Sequence, residues 1–436
     1  MYGLSPAGSA WRRGAVRSIG VVLGLCLSCA PRSSDDRRTL HFVTWKADQP
    51  AVWDEALRRF GVEHPEIRVE RQIGPHSSTA FHDLVTQKLK NRDPGIDVYF
   101  LDVVWLAEFA AAGWVAPLDS RFRSEDRAEF LEGPIEASTW RGQVYAVPAF
   151  IDAGILYYRR DLLEKYRLPV PTTWAELEAE ARQIVAAERS AEPELRGYSG
   201  QFQQYEGLVC NMLEFVTANG GRFLDERGLH ASLQNHATLE AIRWVRDHVI
   251  GGLAPRSVLT YQEPESLALF LQGLAVFHRN WPYAWNVAND PAQSRVAGNV
   301  GVAPLPHFAG GQSRSALGGW LYGISRFSRR ADAAWTFIEF MTSHEMQKYF
   351  AMNASLGPTR APLYEDPGVL GRNPQFAGQR DAFRLAVPRP LTPMYPAVSG
   401  ALQRFLSAAI SIPDEDLAPR ARAAEAEIDR YLELAG

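Results

Sequence analysis

The chain has 436 residues, 46% of them apolar and 22% charged, with a formal charge of −4 at pH 7. That length exceeds one ordinary core and predicts two lobes, while the composition is that of a folded globular protein. No basic patch points to nucleic acid, so no such partner is expected.

The N-terminus reads as an export signal. Arg12, Arg13 and Arg17 precede an apolar run, Ile19 to Leu27, that ends at Ser28-Cys29. Spanning a bilayer takes about 20 apolar residues, so this shorter run suits cleavage better than permanent insertion. Removal of residues 1–28 as a signal peptide would leave Cys29 first in the chain, placed for lipid attachment, with residues 29–36 as a polar tether. Cys26 departs from the large aliphatic residue usual at that place in a lipidation box. Loss of residues 1–28 removes three arginines and no acid, taking the formal charge from −4 to −7. Cys29 and Cys210 are the cysteines then left, and lipidation of Cys29 leaves no pair for a disulfide. The expected place of work is the periplasm or the outer face of the cytoplasmic membrane.

Further along, Leu40 to Trp45 reads as a strand, and Val52, Trp53, Ala56, Leu57 and Phe60 share one helical face behind Pro50. Ile67, Val69, Arg71 and Ile73 alternate as a second strand, followed by a helix over about 79–89. Asp97 to Leu101 is a short apolar run fit for a buried strand, and a helix over 105–112 is closed by Gly113. This alternation predicts a parallel sheet with helices on its faces. Thr173-Trp174-Ala175-Glu176 has the form of a capping box for a helix to Val185. Helices are also expected over 206–218 before Gly220-Gly221, over 237–249, 331–341 and 344–352, and through most of 396–434. Residues 310–314 read as loop.

Motifs for covalent chemistry are sparse. There is no His-Glu-x-x-His, no Gly-x-Gly-x-x-Gly, no Gly-Lys pair and no Gly-x-Ser-x-Gly, and past residue 29 no Cys-x-x-Cys. No cofactor, no metal and no catalytic residue are assigned. Two carboxylates remain: Asp102 closes the run Val98 to Leu101, and Asp152 closes Val147 to Ile151. Residues just past strand C-termini line ligand crevices in parallel sheets. An acid there also caps a following helix, as Asp102 would for one starting at Val103, and spacing supports both roles equally. As a pair, Asp102 and Asp152 would suit an exported glycosidase. As ionised acceptors, they would suit sugar hydroxyls.

The stretch Asp97 to Asp119 (DVYFLDVVWLAEFAAAGWVAPLD) resembles the family 1 extracellular solute-binding proteins of ABC sugar importers. Further matches are Tyr145-Ala146-Val147-Pro148 with Asp152-Ala153-Gly154, Leu156 to Leu163, Tyr205 to Cys210, Arg279-Asn280-Trp281-Pro282-Tyr283-Ala284-Trp285, Val302 to Pro306, Leu317 to Trp320 and Val387 to Pro390. They run in order over nearly the whole mature chain and look most like the trehalose/maltose-binding branch. The resemblance implies a two-lobe α/β periplasmic-binding-protein fold with a sugar cleft between the lobes. The lobes would be 37–150 plus 321–366 and 151–320 plus 367–436, with crossings near 148–153, near Trp320 and near 363–368. Asp48, Gln49, Asp102, Phe150, Asp152, Trp281, Gly318, Gly319, Trp320 and Arg389 would hold the ligand. Indole faces match the C–H face of a pyranose, and Asp and Arg match its hydroxyl rim. Prolines on both sides of Arg389 stiffen its backbone. Trp285, four residues past Trp281, reads as core. Two departures stand out: Gln49 lies nearest a position where that branch offers glutamate, and Phe150 replaces a tyrosine two residues before the hinge aspartate. The implied function is a lipid-anchored, monomeric binding protein serving permease subunits and their ATPase. The alternatives are the glycosidase, a sensor reporting to a membrane receptor, or the same fold holding a polyol or a glycerol-phosphate derivative. The chain's five lysines argue against an anionic ligand.

Overall fold

The computed structural model describes residues 39–46, 49–377, 383 and 386–434. The predicted export signal, the tether and Cys29 lie outside that set. Twelve strands are present among the described residues: β1 (Thr39–Thr44), β2 (Arg68–Ile73), β3 (Val98–Asp102), β4 (Thr139–Trp140), β5 (Gln143–Val144), β6 (Ala146–Ala153), β7 (Ile155–Arg159), β8 (Arg196–Ser199), β9 (Ala275–Asn280), β10 (Val300–Ala303), β11 (Ser315–Ile324) and β12 (Ala386–Val387).

They form two main sheets. One has the order β12-β11-β3-β1-β2, with β6 also paired to β11; the other has the order β10-β7-β9-β8. The parallel β1–β2 and β1–β3 pairs follow the strand–helix alternation of the sequence. The expected parallel sheet is extended by two antiparallel strands, β6 and β11. Both run antiparallel to a neighbour, β11 against β3 and β6 against β11, because these two long strands carry the chain between the halves of the molecule. The second sheet is also mixed: β7 pairs antiparallel with β9 and β10, and β8 pairs parallel with β9.

Each sheet has its own core. Phe42, Trp53, Phe60, Phe81, Phe100, Phe109, Tyr322 and Phe337 pack around the first. Trp174, Tyr198, Phe215, Ile242, Leu402 and Phe405 pack around the second. Helix Pro50–Glu63 begins at a proline and buries Trp53, Ala56 and Phe60 at helical spacing. Helix Ser78–Lys90 buries Phe81, Val85 and Leu89 in the same way. The capping box at Thr173 forms, with the Glu176 amide donating to Thr173 Oγ1 at 3.2 Å and the Thr173 amide to the Glu176 carboxylate at 3.0 Å.

Boundaries shift where tertiary packing decides them. The helix expected over 105–112 opens as a 3₁₀ turn, Val103–Trp105, before the α-helix Leu106–Ala111. The helix expected over 237–249 is α-helical to Trp244 and finishes in a π turn, Val245–Val249. The C-terminal helical stretch breaks into Tyr395–Ser411 and Leu417–Glu433. Helix Pro367–Arg372 packs on His344–Ala354: Val369 and Phe376 join Ala351, Leu363 and Tyr364 in a satellite core.

Candidate functional site

Three strand ends of the first sheet open into one cleft. Trp45 and Gln49 follow β1, His76 and Ser78 follow β2, and Asp102 ends β3, which is the position expected of ligand-facing residues in parallel sheets. The strand register then brings distant residues into a row. Trp320 on β11 pairs with Asp102 on one side and Phe150 on the other, and Gly318 pairs with Asp152. Residues two apart in a strand share a face, so Trp320 and Gly318 face alike, as do Phe150 and Asp152. The second half of the molecule contributes Glu206, Gly207, Cys210, Glu263, Trp281 and Tyr283, and Arg389 approaches from the loop after β12. The cleft encloses about 920 Å³ of empty space, its open mouth included.

Gln49, Asp102, Phe150, Asp152, Trp281, Gly318, Gly319, Trp320 and Arg389 thus all line one cavity. Asp48 lies outside the described residues. The Gln49 amide donates to the Ala354 carbonyl at 3.4 Å. Trp285 stands apart, packed on a side core with Tyr157 and Phe270, its indole donating to the Arg372 carbonyl at 3.3 Å.

The aromatic wall is layered. Trp320 stacks on Trp45 with centroids 4.7 Å apart and rings 15° from parallel, while Trp105 meets Trp320 edge-on at 5.4 Å. Phe150 packs 5.7 Å from Trp45. Trp281 lies beside Gly318, where a Cβ would come within 3.2 Å of the indole. Gly319 has φ +148°, a conformation side chains rarely adopt, and a Cβ there would come within 2.9 Å of the Phe150 carbonyl. The glycine pair therefore lets β6 and the indole lie close to β11.

The polar part is a charge network. Arg389 donates to Asp102 at 2.8 and 3.4 Å and to Glu206 at 2.9 Å. Glu206 also accepts from Tyr395 and Ser399 hydroxyls. Asp102 lines the cleft and also accepts the Val104 amide at 3.3 Å as the cap of the 3₁₀ turn. The network ties β3 of the first sheet to helix Glu206–Ala218 of the second. Arg389 Nε is buried without a partner among the described residues. So is Asp152 Oδ1, and burial pushes that carboxyl up to about 7, with the Asp102 charge adding to the rise and Arg279 opposing it. Two unfilled hydrogen-bonding atoms in a cleft wall are the kind of groups a polar ligand satisfies.

Trp45, Trp53, Glu206 and Glu263 also line the cleft, and the sequence alone does not single them out. Trp45 directly follows β1, and that strand-end position is the signal in the sequence that points to it. Glu206 opens a mostly buried helix, and an acid buried there needs a cationic partner. That partner, Arg389, lies 183 residues away, so only the fold reveals it.

Comparison with known proteins agrees with this architecture. Residues 45–348 match the family model described as bacterial extracellular solute-binding protein. A Deinococcus radiodurans protein described as a probable ABC transporter-binding protein is 34% identical over 409 residues, 93% of this chain and 96% of that one. The mannitol-binding protein of Pseudomonas aeruginosa is 24% identical over 361 residues, 80% of each chain. The solved structure of maltose-bound T. maritima MalE3 superimposes with a TM-score of 0.84 at 36% identity, covering 91% of this chain and 99% of the other. With its two-lobe α/β architecture and a family match across most of its length, this chain belongs to the bacterial extracellular solute-binding proteins.

Proposed function

We propose that this chain captures a neutral di- or oligosaccharide of the maltose or trehalose type between its lobes and hands it to the membrane subunits of an ABC importer. One observation carries the reading: two indoles, Trp281 and Trp320, share a single cleft with Asp102, Asp152 and Arg389, drawn from both sheets. Flat apolar rings match the C–H faces of pyranoses, and unfilled donors and acceptors match their hydroxyls. The 36% identity to a maltose-bound structure supports the same class. Closure would pivot about β6 and β11, bury the sugar and form the surface that the permease recognises.

The mannitol-binding relative favours a second reading, a linear polyol. A polyol lacks the flat C–H face that would use both indoles. A glycerol phosphate fits less well, because the single positive charge of Arg389 is already shared between two carboxylates. Isothermal titration against maltose, trehalose, maltotriose, mannitol and glycerol 3-phosphate tests these readings. Heat with an α-linked glucose saccharide and none with the phosphate is expected; silence across the sugars at concentrations that detect micromolar affinity sinks the proposal. Intact sugar after long incubation is also expected, whereas hydrolysis products would instate the glycosidase.

Two variants extend the test. Trp320→Ala removes an anchor indole and is expected to weaken sugar binding by about 1–3 kcal/mol. Unchanged affinity would place Trp320 outside the ligand contact. Cys29→Ser addresses the anchor: the wild type is expected in the membrane fraction and the variant in the soluble exported fraction, and equal partitioning of the two rejects lipidation. A monomer, bound to the membrane only through that lipid, is the proposed working form.

A further inference from the structure

We propose that Arg279, clamped by Glu214, is a positioning residue that fixes the Trp281 ring as a rigid ligand platform. The inference rests on the reading that Trp281 faces the sugar. Arg279 is on β9, two residues before Trp281, and its side chain is 1% exposed. Its guanidinium carbon lies 3.9 Å from the centre of the Trp281 ring, so a cation covers part of the indole from the protein side. The guanidinium itself cannot move freely. It donates to the two Glu214 oxygens at 2.5 and 2.8 Å and to the Gln201 side-chain oxygen at 3.2 Å. Glu214 in turn accepts the Ala316 amide of β11 at 3.1 Å, which ties the pair to a strand that crosses between the halves.

The indole is held at its other edges too. Its Nε1 donates to Glu263 at 3.2 Å, and Glu263 accepts the Tyr205 hydroxyl at 2.8 Å. The backbone beneath it is fixed as well, the Tyr157 hydroxyl donating to the Trp281 main-chain carbonyl at 2.8 Å. A buried ion pair is a weak source of stability, because desolvating both charges offsets their attraction and an apolar pair of equal volume serves as well or better. This pair also requires Gly154, since a Cβ there would collide with both Glu214 and Arg279. The forked, planar head of arginine supports a flat ring in a way that an aliphatic side chain does not. A ring held in its bound orientation loses little freedom on capture, and that raises affinity without a new contact.

Two measurements test this on the full-length protein. In protein labelled with 5-fluorotryptophan, the Trp281 resonance is assigned by its loss in Trp281→Phe. It is expected as one sharp fluorine line without ligand, and as a broadened or split line in Arg279→Lys. The same line shape in both overturns the proposal, whatever the protein binds. Calorimetry with maltose then supplies a cycle between Trp281→Ala and the paired variant Arg279→Met/Glu214→Leu, which removes both charges together. The pair is expected to weaken maltose about tenfold alone and to add less than about twofold in the Trp281→Ala background, the non-additivity of a residue acting through another. An undiminished affinity, or a loss that adds in full, overturns it; if the pair does not fold, Arg279→Lys takes its place in the cycle. A wild type that binds no sugar at all would instead reject the carbohydrate reading and leave the fluorine result to decide the positioning role.

Discussion

Arg389→Met is expected to lower stability by about 3–5 kcal/mol and to abolish sugar capture. Methionine fills similar space but leaves Asp102 and Glu206 facing each other inside the protein, where Arg389 holds both within 2.9 Å. The cost is the uncompensated charge rather than lost packing, so replacing both acids by their amides in the same variant should relieve it in part. For a chain of this length the loss corresponds to a melting temperature lower by about 4–6 °C. Arg389→Lys should restore little, because one ammonium cannot reproduce the fork that reaches two carboxylates. Thermal melts of Arg389→Met and of Arg389→Met/Asp102→Asn/Glu206→Gln check this: a smaller deficit in the triple variant is expected, and an equal deficit in both would deny the network its role.

Asp152→Asn should act in the opposite sense on stability. The carboxyl ionises near 3.8 when unfolded but at about 7 in the folded protein. Between those values the unfolded chain sheds its proton first. The wild type therefore loses stability as pH rises from 4 to 7, by at most about 4 kcal/mol, and levels off above 7. Asparagine does not ionise, so the variant should melt above the wild type at pH 8 and close to it at pH 4. Sugar affinity should move the other way. A hydroxyl donated to the free Oδ1 favours the ionised form, so wild-type affinity is expected to rise from pH 5.5 to 8 and the variant's to stay flat. A stability difference independent of pH would show that Asp152 is already charged in the empty cleft.

Much of the architecture is legible in local pattern, and the physical reason is periodicity. Trp53, Ala56 and Phe60 repeat at helical spacing, and the uninterrupted run Val98 to Leu101 is what a strand covered on both faces requires. The antiparallel course of β6 and β11 is not legible, because it depends on pairing between residues 146–153 and 317–323, whose side chains look alike in either direction. The cleft divides along the same line. Asp102, Trp281, Gly318, Gly319, Trp320 and Arg389 sit in motifs that are recognisable one at a time. Trp45 and Glu206 gain their roles from partners far along the chain: Trp45 from its stack on Trp320, Glu206 from Arg389 and Tyr395. Phe150 shows why a motif departure matters. With no hydroxyl, it packs on Trp45 and Phe100 and leaves the neighbouring Asp152 without a local donor.

The central claim is that indoles and charged side chains from both halves close on one carbohydrate. A crystal structure of the protein grown with maltose tests it most directly. The expected density shows sugar rings in van der Waals contact with Trp281 and Trp320, and hydroxyls within hydrogen-bonding distance of Asp152 Oδ1 and Arg389 Nε. Saccharide bound elsewhere, or an empty cleft at saturating maltose in a protein shown by calorimetry to bind it, would contradict the account.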